Sequence, residues 1–187
     1  MTKPAAAAPR HTPDPSPSSG SAPHAAALVD AFLAVRDETE RRAAPLSAED
    51  QQIQSMPDAS PAKWHRAHTT WFFEQFLLAE HCDGYRPFHP DYAFLFNSYY
   101  VSAGPRHARH ERGLITRPRA EEITAYRCHV DAAMVAFLRN ADDDALKIVA
   151  PLVEVGLNHE QQHQELMHTD ILHALAQNPL FPAYDPH

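Results

Sequence analysis

Cysteine is scarce: Cys82 and Cys128 are the only two in 187 residues. They form no Cys-x-x-Cys pair and are too few for the disulfide framework of a small secreted domain, so reduced thiols and a cytoplasmic location are expected. Long apolar runs are missing as well. No stretch approaches the roughly 20 consecutive apolar residues of a membrane helix, and no signal-peptide core is present. Basic residues are outnumbered 16 to 24 by acidic ones, for a formal charge of −8. That balance argues against a general binder of nucleic acid or of anionic membrane, both of which reward clustered Lys and Arg. No internal repeat is found. The unusual surplus is histidine, with fourteen residues, most of which must be ordinary surface groups.

Residues 1–23 are dominated by Ala, Pro, Ser and Gly, and cannot bury enough surface to offset their ordering entropy; a disordered tail is expected. Residues 24–178 read as one folded domain, and residues 179–187 as an extended, proline-containing end. Within the domain a helix is expected from about His24 to Ala44, with Leu28, Phe32 and Val35 at three- and four-residue spacing, ending at Pro45. Ser47 caps a short second piece. A turn over Pro57 to Pro61 leads into the next helix, with Ser60 as cap and Pro61 at the first helical position. Measured from His68, its inward stripe holds Trp64, Trp71, Phe72, Gln75 and Ala79, and His65 sits about 60° off it.

Residues 82–119 form a long connection. Loops of that length in compact domains are usually functional or packed. Arg106, Arg109 and Arg112 suit a carboxylate, and Tyr99 and Tyr100 suit a cationic ligand; a merely solvated basic loop with aromatic anchors is the competing reading. A further helix is expected from Arg119 or Ala120 to about Asn140, with Ile123, Tyr126, Val130, Met134 and Phe137 or Leu138 inward. Asp142-Asp143-Asp144 starts the last helix, which runs to about Gln177, is kinked or restarted at Pro151, and stops at Asn178-Pro179. Four principal helices with one long crossover make an all-α bundle.

The last helix carries the chemistry. His159 and His163 are four apart and project one turn above the other. At about 100° per residue they share a stripe with Leu152, Val155, Gly156, Gln162, Leu166, Asp170 and His173. Apolar residues at both ends of that stripe imply that it faces the bundle interior, where imidazoles need a partner. A metal is one partner; two half-exposed histidines on a polar helix are the alternative. Beside this pair, His68 becomes the natural third ligand, and three ligands leave positions open as catalysis requires. His173 lies about 21 Å along the helix from His159 and is not expected to join them. His159-Glu160-Gln161-Gln162-His163 also satisfies the zinc-protease pattern with Glu160 as general base, but that pattern is short and a helix bundle is the wrong setting for it.

More specific are several runs taken together. Ser60-Pro61-Ala62-Lys63-Trp64-His65-Arg66-Ala67-His68-Thr69-Thr70-Trp71-Phe72-Phe73-Glu74 is followed by Leu95-Phe96-Asn97-Ser98-Tyr99-Tyr100 and Arg112-Gly113-Leu114-Ile115-Thr116-Arg117-Pro118. Tyr126-Arg127-Cys128-His129-Val130-Asp131 and the stretch from Gly156 to Ile171 complete the series. In content and order it resembles the ergothioneine-biosynthesis sulfoxide synthases of the EgtB type, over roughly residues 25–184. The resemblance implies a DinB-like four-helix bundle that holds non-haem iron(II), Fe(II), through His68, His159 and His163. It implies that Gln162 contacts the imidazole of hercynine (trimethylhistidine), and that a loop arginine, best matched by Arg112, binds the carboxylate of the thiol donor. The family reaction uses O2 to join a cysteine-type thiol, usually cysteine or γ-glutamylcysteine, to the hercynine ring as a sulfoxide.

Members of that family normally continue into a second domain of the formylglycine-generating-enzyme type, which supplies much of the pocket and a catalytic tyrosine. This sequence stops at Pro182-Ala183-Tyr184-Asp185-Pro186-His187, about where the connector would begin. No residue here matches that tyrosine. A partner protein carrying the second domain is therefore expected, and full activity is not expected without it. A DinB-like metal-dependent thiol transferase and a non-catalytic metal-binding interaction module are the other readings the residues allow.

Overall fold

A computed structural model describes residues 21–98 and 104–185, with side chains from residue 24 onward. Residues 1–20 of the expected tail, and Tyr99 and Tyr100 of the connection, lie outside the described residues. Residues 21–23, assigned above to the tail, already belong to the first helix.

The four long elements are α1 (Ser21–Ala43), α2 (Ala62–Phe73), α4 (Ala120–Asn140) and α5 (Asp143–Gln177). A π-helical turn (Glu74–Leu78) and a closing turn (Ala79–His81) prolong α2. The long connection to α4 contains only a short helix, α3 (Tyr92–Leu95), and a 3-10 segment (Arg109–Leu114). No strand occurs among the described residues. The architecture is the all-α bundle with a long crossover that four periodic segments imply. Helices α1 and α2 stand diagonally across it, each packed against both α4 and α5. None of the helices is long and apolar enough to cross a membrane, among the described residues.

The core is built as the periodicity requires. On α4, Ile123, Tyr126, Val130, Met134 and Leu138 are fully buried, and Leu138 rather than Phe137 completes the stripe. They meet Phe32 of α1, Trp71, Phe73 and Leu77 of the α2 segment, and Val149 and Val153 of α5. Asp142 caps α5 by accepting from the Ala145 N–H at 2.8 Å. The helix then runs unbroken through Pro151, which therefore marks no restart.

Three expectations need correction. Ser60 does not cap α2: its hydroxyl accepts from Arg112 at 2.9 Å, and its N–H donates to Asp170 at 2.8 Å. Helix α2 has no single inward stripe, because all of Ala62–Phe73 is buried, including Lys63 and Arg66. The crossover covers what would have been its outer face; Lys63 Nζ, for example, donates to the Pro118 carbonyl at 2.9 Å. The π turn also shifts the register after Phe73, which leaves Gln75 half-buried and Ala79 exposed.

The third correction concerns α5. The stripe through His159 does not face the bundle interior: Val155 is 54% and Leu166 39% exposed. The interior stripe is Val149, Val153, Gly156, Glu160, Gln164, Met167 and Ile171. Glu160 and Gln164 are tolerated there because the other helices supply partners. The fully buried Glu160 carboxylate accepts from Arg36 of α1 (2.9 Å), Thr39 of α1 (2.7 Å) and Arg127 of α4 (2.9 Å). Arg36 also donates to Asp131 (2.7 Å) and Thr70 (2.8 Å), so the network ties all four long helices. Burial alone would raise the Glu160 carboxyl, but the charges of Arg36 and Arg127 prevail and hold it at about 2. Such a network adds little net stability over an apolar core but fixes how the helices pair, since any slip strands a buried charge.

Candidate metal centre

The expected ligands converge. His68 comes from α2, and His159 and His163 come from successive turns of α5. One ligand nitrogen of each lies within 4.8 Å of the other two. Ring centroids are 4.9 Å apart for His68–His159, 4.7 Å for His68–His163 and 4.6 Å for His159–His163. The cluster sits at the edge of the core, with His68 buried and the α5 pair half-buried.

Each ring is held by its surroundings. His68 stacks on Trp64 (centroids 4.6 Å apart, planes at 14°) and on Trp71 (5.5 Å, 16°). Its Nδ1 lies 2.6 Å from the Phe96 carbonyl oxygen. A carbonyl only accepts, so Nδ1 carries the hydrogen and the lone pair is on Nε2. His159 packs against Phe72 at 4.9 Å between centroids. His163 approaches His65, the residue that helical geometry placed off the stripe: their Nδ1 atoms are 2.9 Å apart. The other ring nitrogen of His65 contacts Asp170 Oδ2 at 3.0 Å.

Electrostatics keep these rings neutral. Burial pushes His68 well below its ordinary value, and the neighbouring His159 pushes the same way. Burial also lowers His159, to about 4, and lowers His163 strongly, the latter helped by His68 and His65. Neutral imidazoles offer lone pairs. Three of them facing one point suit a divalent transition metal, and they leave its remaining positions for other ligands.

The cluster lines a cavity of about 400 Å³, whose walls include Trp64, Arg109, Arg112, Gln162 and Leu166. The guanidinium of Arg112 lies 3.4 Å over the Trp64 ring and donates to Ser60 (2.9 Å) and Ser98 (3.1 Å). Arg112 is thus buried in the wall and is not a residue of a solvated loop. Arg109, in the same 3-10 segment, donates to the Asp58 carbonyl. Arg106 donates to the Ser98 carbonyl at 2.8 Å. His173 contacts Ser55 at 2.7 Å, away from the cluster. Glu160 cannot serve as a protease base, because its carboxylate is enclosed by Arg36, Arg127 and Thr39 in the bundle interior.

With this geometry in place, comparison with known families is informative. The model of the DinB superfamily matches residues 31–167, which covers the second half of α1, all of α2, the crossover and α4, and most of α5. The chain belongs to the DinB superfamily. Domains of this superfamily are metal-binding helical bundles, and the histidine cluster at the bundle edge has the donors that could hold such an ion. No curated protein matches the chain.

Two residues of this DinB-superfamily site escaped the sequence reading in their present role. Both line the cavity beside the three histidines; His65 contacts His163, and Asp170 contacts His65. Signals for them existed. His65 and His68 form a His-x-x-His pair one helical turn apart, and Asp170 follows His163 by two turns on the same face. Ser60 and Ser98, which receive Arg112, carried no such signal, because their pairing depends on the path of the crossover.

Proposed function

We propose that this chain is the iron(II)-binding domain of a hercynine-dependent sulfoxide synthase of ergothioneine biosynthesis, working with a separate formylglycine-generating-enzyme-type domain. The observation that carries the reading is the neutral three-histidine cluster opening onto a cavity walled by Gln162 and two arginines. Bound iron(II) supplies the redox chemistry with O2 and sites for sulfur and imidazole donors. The overall conversion balances. The thiol S–H and the imidazole C–H are broken and a C–S bond forms; one oxygen atom of O2 ends on sulfur and the other in water.

The chain's own residues supply binding and orientation. His68, His159 and His163 hold the iron. Gln162, one residue before His163 on the cavity wall, pairs through its side-chain amide with the hercynine ring nitrogen. Arg112 and Arg109 face the donor carboxylate, and stacking on Trp64 with bonds to Ser60 and Ser98 fixes the orientation of the planar Arg112 guanidinium. The formylglycine-generating-enzyme-type domain would close the cavity and bring the catalytic tyrosine. Reconstitution tests the reading. The iron-loaded chain mixed with a formylglycine-generating-enzyme-type partner, hercynine and γ-glutamylcysteine or cysteine is expected to consume one O2 per sulfoxide formed. Hercynine left unchanged with either thiol, although iron is bound, would overturn it.

A further inference from the structure

The contact between His65 and His163 is a second feature of the site, and it has a direction. Asp170 Oδ2 receives the Ser60 N–H at 2.8 Å and stands 3.0 Å from His65 Nε2. A carboxylate oxygen already accepting one hydrogen bond repels a second lone pair, so His65 Nε2 must carry its hydrogen. His65 is buried between the Trp64 and His163 rings, where a second ring hydrogen would strand a cation out of water. Its Nδ1 therefore presents a lone pair. That lone pair faces His163 Nδ1 at 2.9 Å, a distance that requires one donor and one acceptor. The hydrogen between them belongs to His163.

We propose that His65, anchored by Asp170, is a positioning residue that holds His163 in its Nδ1–H form and thereby presents His163 Nε2 to the metal. The sequence of atoms runs from the Asp170 carboxylate to His65 Nε2–H, then from His65 Nδ1 to the His163 Nδ1–H. His68 is oriented by a different device, the Phe96 carbonyl. Two of the three ligands thus have their tautomer and ring plane set before metal arrives. A backbone carbonyl does this for one, and a histidine–aspartate pair for the other. A donated Nδ1–H also makes the opposite nitrogen a better electron donor.

The proposal rests on the three-histidine metal reading but not on iron, hercynine or sulfoxide chemistry. It is tested first in the metal-free chain. Long-range proton–nitrogen correlation spectra of ¹⁵N-histidine-labelled protein at neutral pH are expected to show His163 protonated on Nδ1 and His65 on Nε2. His163 found as the Nε2–H tautomer would overturn the proposal without any variant having to fold. Cobalt(II) titration supplies the second test. His65→Phe removes the acceptor and is expected to weaken cobalt binding about 10- to 100-fold. His65→Gln, whose amide oxygen can still accept from His163, is expected to recover part of that loss. Asp170→Asn, which can keep an oxygen toward Ser60 and His65, is expected to weaken binding less than His65→Phe does. Equal cobalt affinity for His65→Phe and the unaltered chain would contradict the proposal. Cobalt bound as expected with no hercynine response would instead fault only the sulfoxide synthase reading.

Discussion

His159 and Glu160 are neighbours in sequence, but their side chains serve opposite sides of α5. His159 turns to the cavity and the histidine cluster, and Glu160 turns into the bundle, where Arg36 and Arg127 enclose it. One residue of rotation, about 100°, separates a ligand face from a face that locks the four helices. The short His-Glu-x-x-His pattern is therefore two unrelated devices read together, and the division can be tested.

Removing Arg127 attacks the interior device alone. Arg127→Met leaves the buried Glu160 with Arg36 as its one remaining guanidinium partner and should cost about 3 kcal/mol of stability. Urea unfolding measures it. A loss below about 0.5 kcal/mol, the range of ordinary surface substitutions, would mean that the network does not hold the bundle as described.

The opposite face is tested at the ligands. His163→Ala is expected to remove most metal binding while far-UV circular dichroism stays that of a helical bundle, because the ring is half-buried at the edge of the core. Gln162→Ala is expected to weaken hercynine binding about tenfold, the loss of one hydrogen bond worth about 1.4 kcal/mol, with metal affinity kept. Equal losses of hercynine and metal affinity on Gln162→Ala would count against its substrate role.

Gly156 links core and site. A Cβ built there stands 2.6 Å from the Phe73 ring and 3.0 Å from that of Phe72, which in turn packs on His159. Gly156→Ala gains helix propensity, but the two rings must move. The expected net cost is about 1–3 kcal/mol, together with weaker metal binding as Phe72 displaces His159. Thermal unfolding and metal titration of the same variant check both parts. A more stable protein with unchanged metal affinity would show that the aromatic packing yields.

Acid should destabilise the metal-free chain earlier than its carboxylates alone would. His159 is lowered to about 4, and His65, His68 and His163 are lowered as well. Below the ordinary histidine value of about 6.5 the unfolded chain takes protons that the folded chain refuses, so stability falls with pH. For His159 the fall runs from about 6.5 down to about 4. Each histidine that stays neutral costs about 1.4 kcal/mol per pH unit across its window. Chemical denaturation at pH 7.5, 6 and 5 should show that slope, and bound metal should preserve it, because ligated nitrogens take no proton in the folded state. A stability independent of pH over that range would mean that the rings are solvated.

Much of this was legible in the sequence, and the rest fails for physical reasons. The helices α1, α4 and α5 show in their spacing, because each buries one stripe and periodicity reports stripes. The convergence of His68, His159 and His163 shows because histidines a turn apart on one helix point together and invite a third from elsewhere. The register of α5 did not show. Its exposed Val155 and Leu166 resemble core residues, and its buried Glu160 and Gln164 resemble surface ones until Arg36, Thr39 and Arg127 are brought beside them. Helix α2 misled for the opposite reason: it is buried on every side, so its stripe had no meaning. The role of His65 depends on Asp170, more than one hundred residues away in sequence.

The central claim is that these three histidines form an iron site that recognises hercynine. Anaerobic titration of the purified chain with iron(II), in the absence and presence of hercynine, tests it most directly. The account predicts one iron per chain, bound more tightly when hercynine is present. Iron that fails to bind, or that binds equally well with and without hercynine, would contradict it.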